Sequence, residues 1–280
     1  MQMVLLISCS DQPGIVARFT GLLYGAKANV LSLEQHVEDN KWFFMRIYVE
    51  LDPSSRSHHE LQTSLQELAQ ELQADIQMHD PQKLLRVAIL ASKEEACARE
   101  LLIAHRSGKL HAEITNIISD HPALESLAQS YDIPFNYVDA SPGMEAAEPA
   151  MMKVLSESKP DLIVLARYMK VLTPAFVTAF ENRIINIHHG FLPAFKGSRP
   201  YHQAWERGVK VIGATAHYVV PELDDGPIIA QEVIPVTHQD SVGDMVQAGQ
   251  DIEKRVLLRA VQAFLQHKII LHNGRTILFH

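Results

Sequence analysis

The rhythm of apolar residues changes once along this 280-residue chain, near residue 80. Residues 3–9, opening Met3-Val4-Leu5-Leu6-Ile7, read as a strand. Asp11-Gln12-Pro13-Gly14 is a turn with an Asp and a Pro just ahead of an apolar helix. Ile15, Phe19, Leu22, Leu23 and Ala26 then share one helical face. Residues 29–37 and 42–51 read as strands around the turn Glu38-Asp39-Asn40. Pro53-Ser54-Ser55 leads to a helix with Leu61, Leu65, Leu68 and Leu72 at helical spacing, and residues 75–78 close the unit as a strand. The order is βαββαβ over residues 1–80, the ferredoxin-like pattern.

His79-Asp80-Pro81-Gln82-Lys83 reads as a linker, and residues 84–280 follow a different rule. Strands expected at 85–90, 112–118, 135–138, 162–165 and 184–188 alternate with helices near 94–105, 124–131 and 145–158. Strands near 211–219 and 228–236 precede a long helix from about 242 to 265. Such alternation predicts an α/β, doubly wound, mostly parallel sheet covered by helices. In sheets of this kind ligands collect beyond the carboxyl ends of the strands. Asn186 and His188 stand at such an end.

Composition excludes several classes. The net charge of −8 argues against a nucleic-acid binder. No segment reaches the ~20 apolar residues of a membrane helix, so no membrane partner is expected. The first apolar run is short and no Lys or Arg precedes it, so a strand is expected there and not a signal peptide. Two cysteines, Cys9 and Cys97, make no disulfide framework and fit a reducing cytoplasm.

The chemistry gathers between residues 185 and 235. Asn186 and His188 are two apart, so on a strand their side chains point the same way. An amide NH₂ and an imidazole can then converge on one oxygen. A second apolar stretch, Gly213-Ala214-Thr215-Ala216-His217-Tyr218, is followed by the turn Leu223-Asp224-Asp225-Gly226-Pro227. Asn, His and Asp together can bind a carbonyl oxygen, stabilise charge on it and handle a proton. That is acyl-transfer chemistry without a serine or cysteine nucleophile. The blander alternatives are a polar strand end, an acidic solvated turn at Asp224 and a structural histidine at His217. Fifteen histidines raise a zinc site, but no His-x3-His or Cys-x2-Cys pair supports one, and no metal is expected. The turn Leu90-Ala91-Ser92-Lys93-Glu94-Glu95-Ala96 has no glycine, so it offers no phosphate cradle.

These residues carry a family resemblance. Asn186-Ile187-His188, Leu192-Pro193-Ala194-Phe195-Lys196-Gly197, the 213–217 stretch and the Asp224 turn resemble the formyltransferase fold that uses 10-formyltetrahydrofolate. His188-His189, Leu165-Ala166-Arg167-Tyr168-Met169 and Arg199-Pro200-Tyr201-His202-Gln203-Ala204 are more similar to formyltetrahydrofolate deformylases than to glycinamide ribonucleotide transformylases. Asp11-x2-Gly14-Ile15-Val16-Ala17 resembles the opening of an ACT domain, a small regulatory module that often binds amino acids. An ACT-like domain over 1–80 and a formyltransferase-like domain over 84–280 is the deformylase arrangement.

The resemblance implies hydrolysis of 10-formyltetrahydrofolate to formate and tetrahydrofolate, with water as the partner substrate and no cofactor. Asn186 would hydrogen-bond the formyl oxygen, a protonated His188 would stabilise the oxyanion, and Asp224 would position the attacking water and accept its proton. Tyr168, Met169, Val171 and Leu172 would line the pterin pocket, with Val219, Leu223 and the backbone of loop 219–224. The bland alternative for residues 169–172 is ordinary helix and core. Lys196 and Arg199 could meet the folate carboxylates. The ACT-like domain implies an amino-acid effector near Asp11 and Gly14, and a homo-oligomer, tetramer or hexamer, since such domains commonly pair edge to edge. Gly190 stands where the family pattern has serine, and Ala96 where a histidine is common. Two other functions compete. One is transfer of the formyl group to an amine such as glycinamide ribonucleotide or methionyl-tRNA. The other is an amino-acid sensor with a dead catalytic domain.

Overall fold

The computed structural model describes residues 1–52, 58–194 and 200–280. Two compact units emerge: Met1–Lys83 with Gln266–His272 and Ile277–His280, and Leu84–Leu265 with Asn273–Thr276.

The first unit runs β1 (Gln2–Ser10), α1 (Ile15–Gly25), β2 (Asn29–Val37), β3 (Trp42–Glu50), α2 (His58–Glu71) and β4 (Asp75–His79). Its sheet has the order β2-β3-β1-β4, all pairs antiparallel. Alternation along β1 and β3 sends Met3, Leu5, Ile7, Cys9, Phe43, Met45, Ile47 and Val49 to one face. There they meet Ile15, Phe19 and Leu23 of α1, Leu61, Leu65 and Leu68 of α2 and Leu72 just beyond it. Helix α1 starts without help from Asp11: its cap is Gly14, at φ 91°, and no side chain caps it. Glycine is needed there because that backbone conformation strains any residue with a Cβ.

The strand β1 is apolar on both faces, and the reason lies near the other end of the chain. Val4, Leu6 and Phe44 on the outer face are covered by Ile270 and Phe279. These belong to a C-terminal hairpin, β12 (Ile269–His272) and β13 (Arg275–Leu278), which the sequence reading did not anticipate. That reading gave the whole of 84–280 to the second domain, whereas Gln266–His272 and Ile277–His280 cluster with residues 1–83. Burial of outer-face apolar surface holds the segment, together with Arg46, which donates from Nε to His267 O at 3.0 Å and from Nη2 to Gln266 O at 3.2 Å.

The second unit contains β5 (Leu85–Ala91), α3 (Ala96–Arg106), β6 (Ala112–Ser119), a 3₁₀ turn (Pro122–Leu124), α4 (Glu125–Ser130), β7 (Phe135–Tyr137), α5 (Met144–Ser158) and β8 (Leu162–Leu165). It continues with α6 (Pro174–Ala179), β9 (Ile184–His188), α7 (Pro200–Glu206), β10 (Val211–Tyr218), β11 (Ile228–Pro235) and α8 (Val242–Leu265). The strand order is β11-β10-β9-β8-β5-β6-β7. The five strands from β7 to β9 are parallel, while β10 and β11 each run antiparallel to the strand before. Ala88, Leu90, Ile163 and Leu165 meet α5 and α6 on one face. Val87 and Ile89 point to the other and are fully buried, so both faces are covered. The chain reverses direction across the sheet between β5 and β8, which makes that pair its switch point.

His79, at the end of β4, stacks on His267 with ring centroids 3.9 Å apart. Burial lowers both imidazoles, His267 to about 4 with further lowering from His79 and Arg46. Below the ordinary imidazole value of about 6.5, the unfolded chain therefore binds protons that the folded unit refuses. Stability contributed by this pair is present above that value and is lost as pH falls from about 6.5 toward 4. Urea midpoints measured at pH 7 and pH 5 are expected to drop on acidification. His79→Phe, which keeps a stacked ring but removes one titrating group, is expected to shrink that drop; an unchanged drop would show that the pair is not its source.

Candidate active site

The site is built by a strand register. β10 pairs antiparallel with β9 so that His217 lies directly opposite Asn186, and Thr215 opposite His188. The period of two then places all four side chains on one face. Thr215 is fully buried and ties down the loop after β9. Its hydroxyl donates to Gly190 O at 2.9 Å and accepts from Leu192 N–H and Gln231 Nε2–H, each at 3.0 Å. The loop that it holds contains the cis bond Leu192–Pro193.

Asp224 arrives from the other side, on the loop between β10 and β11. Gly226 lets that loop fold back, since a Cβ there would lie 1.8 Å from Tyr218 O. Tyr218 N–H donates to Pro227 O at 2.9 Å and closes the turn. Asp224 sits at φ 54° and points inward, with its carboxylate 3.3 Å from His188 Nδ1 and 3.9 Å from His217 Nε2. Asn186, His188 and Asp224, 38 residues apart at the extremes, are thus brought together as the sequence reading expected.

His217 is more than a structural histidine. Its Nδ1 lies 2.8 Å from Tyr218 O, and a carbonyl can only accept, so Nδ1 carries the proton. Nε2 then presents a lone pair, 3.2 Å from the Asn186 amide nitrogen, and accepts from it. That contact assigns the orientation of the amide. Burial lowers the imidazole of His217 and outweighs the upward pull of the Tyr218 carbonyl and Asp224, which keeps the ring neutral and Nε2 an acceptor. The next histidine, His189, is also held neutral: burial, then Arg167 and His188, lower it to about 3.

An apolar pocket opens beside this cluster, and Tyr168, Met169, Val171, Leu172, Val219 and Leu223 all line it. Residues 166–173 form a loop, not the helix of the blander reading. Tyr168 and Leu172 are core residues, whereas Met169, Val171 and Leu223 are each more than half exposed at the mouth. Large apolar side chains left exposed around a cleft mark a ligand-binding rim. The Tyr168 hydroxyl lies between the sulfurs of Met144 and Met151, at 3.8 and 3.7 Å, with one proton to donate to either, and burial pushes its phenol up.

Other residues singled out in the sequence have plain positions. A Cβ at Gly190 would lie 2.9 Å from His188 Nε2, so the serine of the family pattern would require the imidazole to shift. Ala96 opens α3. Asp11 and Gly14 lie exposed ahead of α1. Lys196 and Arg199 lie outside the described residues. Among the described residues no group of three or more His, Cys, Asp or Glu is arranged to hold a metal ion, and no helix is long and apolar enough to cross a membrane. Sequence reasoning missed Thr215, Gln231 and the reach of Arg167, which lines the pocket. Their only signal was a polar residue inside an apolar run.

Comparison with known proteins agrees with this architecture. Residues 3–74 match the ACT domain model and residues 85–261 the formyl transferase model. A formyltetrahydrofolate deformylase of Synechocystis sp. is 45% identical over 277 residues, spanning 98% of this chain and 97% of that protein. The crystal structure of a formyltetrahydrofolate deformylase from Pseudomonas syringae superposes with a TM-score of 0.95 at 37% identity, covering 100% of this chain and 95% of the other. A glycinamide ribonucleotide transformylase from Symbiobacterium toebii matches 70% of this chain and 95% of its own, with a TM-score of 0.67 and 32% identity. With both domains matched and near-complete coverage by such relatives, the chain belongs to the formyltetrahydrofolate deformylase family.

Proposed function

We propose that this enzyme hydrolyses 10-formyltetrahydrofolate to formate and tetrahydrofolate. The observation that carries the reading is the convergence of Asn186, His188 and Asp224 in the lining of an apolar pocket. The pterin ring enters between the 168–172 loop and the 219–224 loop, and its formyl group meets the three polar residues. One N–H of the Asn186 amide is committed to His217, which aims the other at the formyl oxygen. Water attacks the formyl carbon, and Asp224 takes its proton as the C–O bond forms. His188 and Asn186 carry the oxyanion. Collapse breaks the bond from carbon to N10, N10 takes the proton that Asp224 holds, and formic acid leaves and ionises to formate. The reaction draws on side chains alone, with no cofactor.

A second reading, transfer of the formyl group to an amine such as glycinamide ribonucleotide, rests on the likeness to the transformylase. The glycine-free, acidic turn Glu94-Glu95 after β5 supports water instead, because it repels a phosphate where such an acceptor would need backbone N–H groups. The released formate suits purine synthesis and a balanced one-carbon pool. The two buried thiols, Cys9 and Cys97, suit the reducing cytoplasm; burial pushes Cys97 up to about 12, so it is inert.

The N-terminal unit is the regulatory part of this reading. An amino acid would bind near Asp11 and Gly14. The edge strand β2 leaves Val30, Leu31 and Val37 exposed, which supports edge-to-edge pairing into a tetramer or hexamer.

Three outcomes are expected. Pure protein with 10-formyltetrahydrofolate and no amine releases formate, and Asn186→Ala lowers turnover by about 10²–10³, the usual cost of one oxyanion donor, with little change in unfolding midpoint. Undiminished turnover in that variant would remove Asn186 from the mechanism. His217→Leu leaves the amide unaimed and lowers kcat up to about 10²-fold with KM nearly unchanged; a rise in KM alone would show that His217 serves binding. Sedimentation gives a tetramer or hexamer, and calorimetry with a panel of amino acids finds one that binds wild type but not Asp11→Ala. A monomer with no heat of binding would reject the regulatory reading.

A further inference from the structure

The crevice at the switch point between β5 and β8 is where a doubly wound sheet normally admits a ligand. Here it is laced shut. Ser92 N–H donates to Arg167 O at 3.3 Å and Met169 N–H to Ser92 Oγ at 3.0 Å. Arg167 then reaches across the strand ends and grips Glu94 with two donors, Nε to Oε2 at 3.1 Å and Nη2 to Oε1 at 2.9 Å. Its third nitrogen, Nη1, lies 3.5 Å from Glu253 Oε2 of α8. Glu253, 1% exposed, takes a further bond from Tyr201 Oη at 2.8 Å.

Two features show that this arrangement is built and not incidental. Arg167 holds φ 61°, a backbone region that a residue with a Cβ occupies at a cost and that is found where side-chain position is over-determined. In α8, Gly249 sits one turn before Glu253, and a Cβ there would lie 2.1 Å from Tyr201 Oη. Glycine weakens a helix interior, yet only glycine lets Tyr201 reach the carboxylate. Stability alone does not account for such a network, since buried ion pairs are often no better than apolar packing of the same volume.

The position of the guanidinium suggests its task. In the deformylase reading the folate takes the apolar walls of the pocket. Arg167 and His189 line the same pocket as Asn186, His188 and Asp224. With the folate on the apolar walls, an acceptor reaches the formyl carbon past these polar residues. We propose that Arg167, clamped by Glu94 and Glu253, is a specificity-determining partition that admits water to the formyl carbon and excludes amine acceptors. The proposal rests on the deformylase reading above and adds the device that selects the acceptor. Removing the partition would let an amine nitrogen form the bond to the formyl carbon while the bond to N10 breaks. The amine then loses the proton that N10 gains, and no redox partner is involved.

The test is a competition between water and glycinamide, an amine that carries no phosphate. Wild type, Arg167→Gly, Arg167→Lys and Glu94→Gln are each given 10-formyltetrahydrofolate with excess glycinamide, and formate and N-formylglycinamide are both quantified. Arg167→Gly suits the φ of the site, and pairing it with Glu253→Gln avoids leaving a buried carboxylate alone. Wild type is expected to yield formate. Opening the partition is expected to raise the amide-to-formate ratio at least about tenfold, the low end of what steric discrimination delivers. Arg167→Lys, a cation without the fork, is expected to fall between. Glu94→Gln changes a partly exposed residue and loosens the same clamp, so it reports even where the buried variants fail to fold. Ratios equal to wild type in Arg167→Gly and Glu94→Gln, with formate still released, would overturn the partition alone. A wild type that releases no formate, with or without the amine, would overturn the hydrolase reading itself.

Discussion

The antiparallel pairing of β10 with β9 is the interaction on which the site depends. It sets His217 opposite Asn186 and Thr215 opposite His188, and a slip of β10 by one residue would turn Thr215 and His217 to the other face, away from Asn186 and His188. Every later feature follows from that register. The carbonyl of Tyr218 fixes the proton of His217, His217 orients the amide of Asn186, and Thr215 anchors the loop after His188. Within this sheet β10 is the strand that runs against the others, and its pairing sets polar residues of a neighbouring strand level with the carboxyl end of β9.

The polar cluster is tolerable inside the sheet because its groups satisfy one another. Thr215, fully buried, makes three hydrogen bonds, and His217 uses both ring nitrogens. A buried polar group without such partners would cost about 1–3 kcal/mol. Neutrality matters here. A charged His217 would have to donate from Nε2, turning the Asn186 amide around and presenting its oxygen to Nε2. Burial, by lowering that imidazole, protects the orientation as well as the fold.

Local patterns in the chain foretold local structure. Asn186 and His188 share a face because strands have period two, and Asp224 stood out in a turn rich in Gly and Pro. The βαββαβ order and the alternation beyond residue 84 were legible from apolar spacing alone. What was not legible is non-local. The six- and seven-residue helices α6 and α7 are too short to show a period. The C-terminal hairpin covers the outer face of β1, and its one signal was that Val4 and Leu6 are apolar where a solvated face would be polar. The register of β10 and the glycines at 226 and 249 take their meaning only from atoms far along the chain.

The Arg167 network shows the same limit in its sharpest form. Its members stand at 94, 167, 201 and 253, on four separate elements or loops, and no spacing relates them. Each alone reads as an ordinary surface or helix residue. Together they fill the crevice that the topology of the sheet would otherwise open. Fold therefore accounts for where a ligand should enter, and side chains decide which part of that opening stays available. In this chain the opening keeps an apolar side, and charge held in place stands among its polar lining. Selection of an acceptor is then a matter of what has been excluded, and a family that shares one strand topology can divide between water and amines without moving its catalytic cluster.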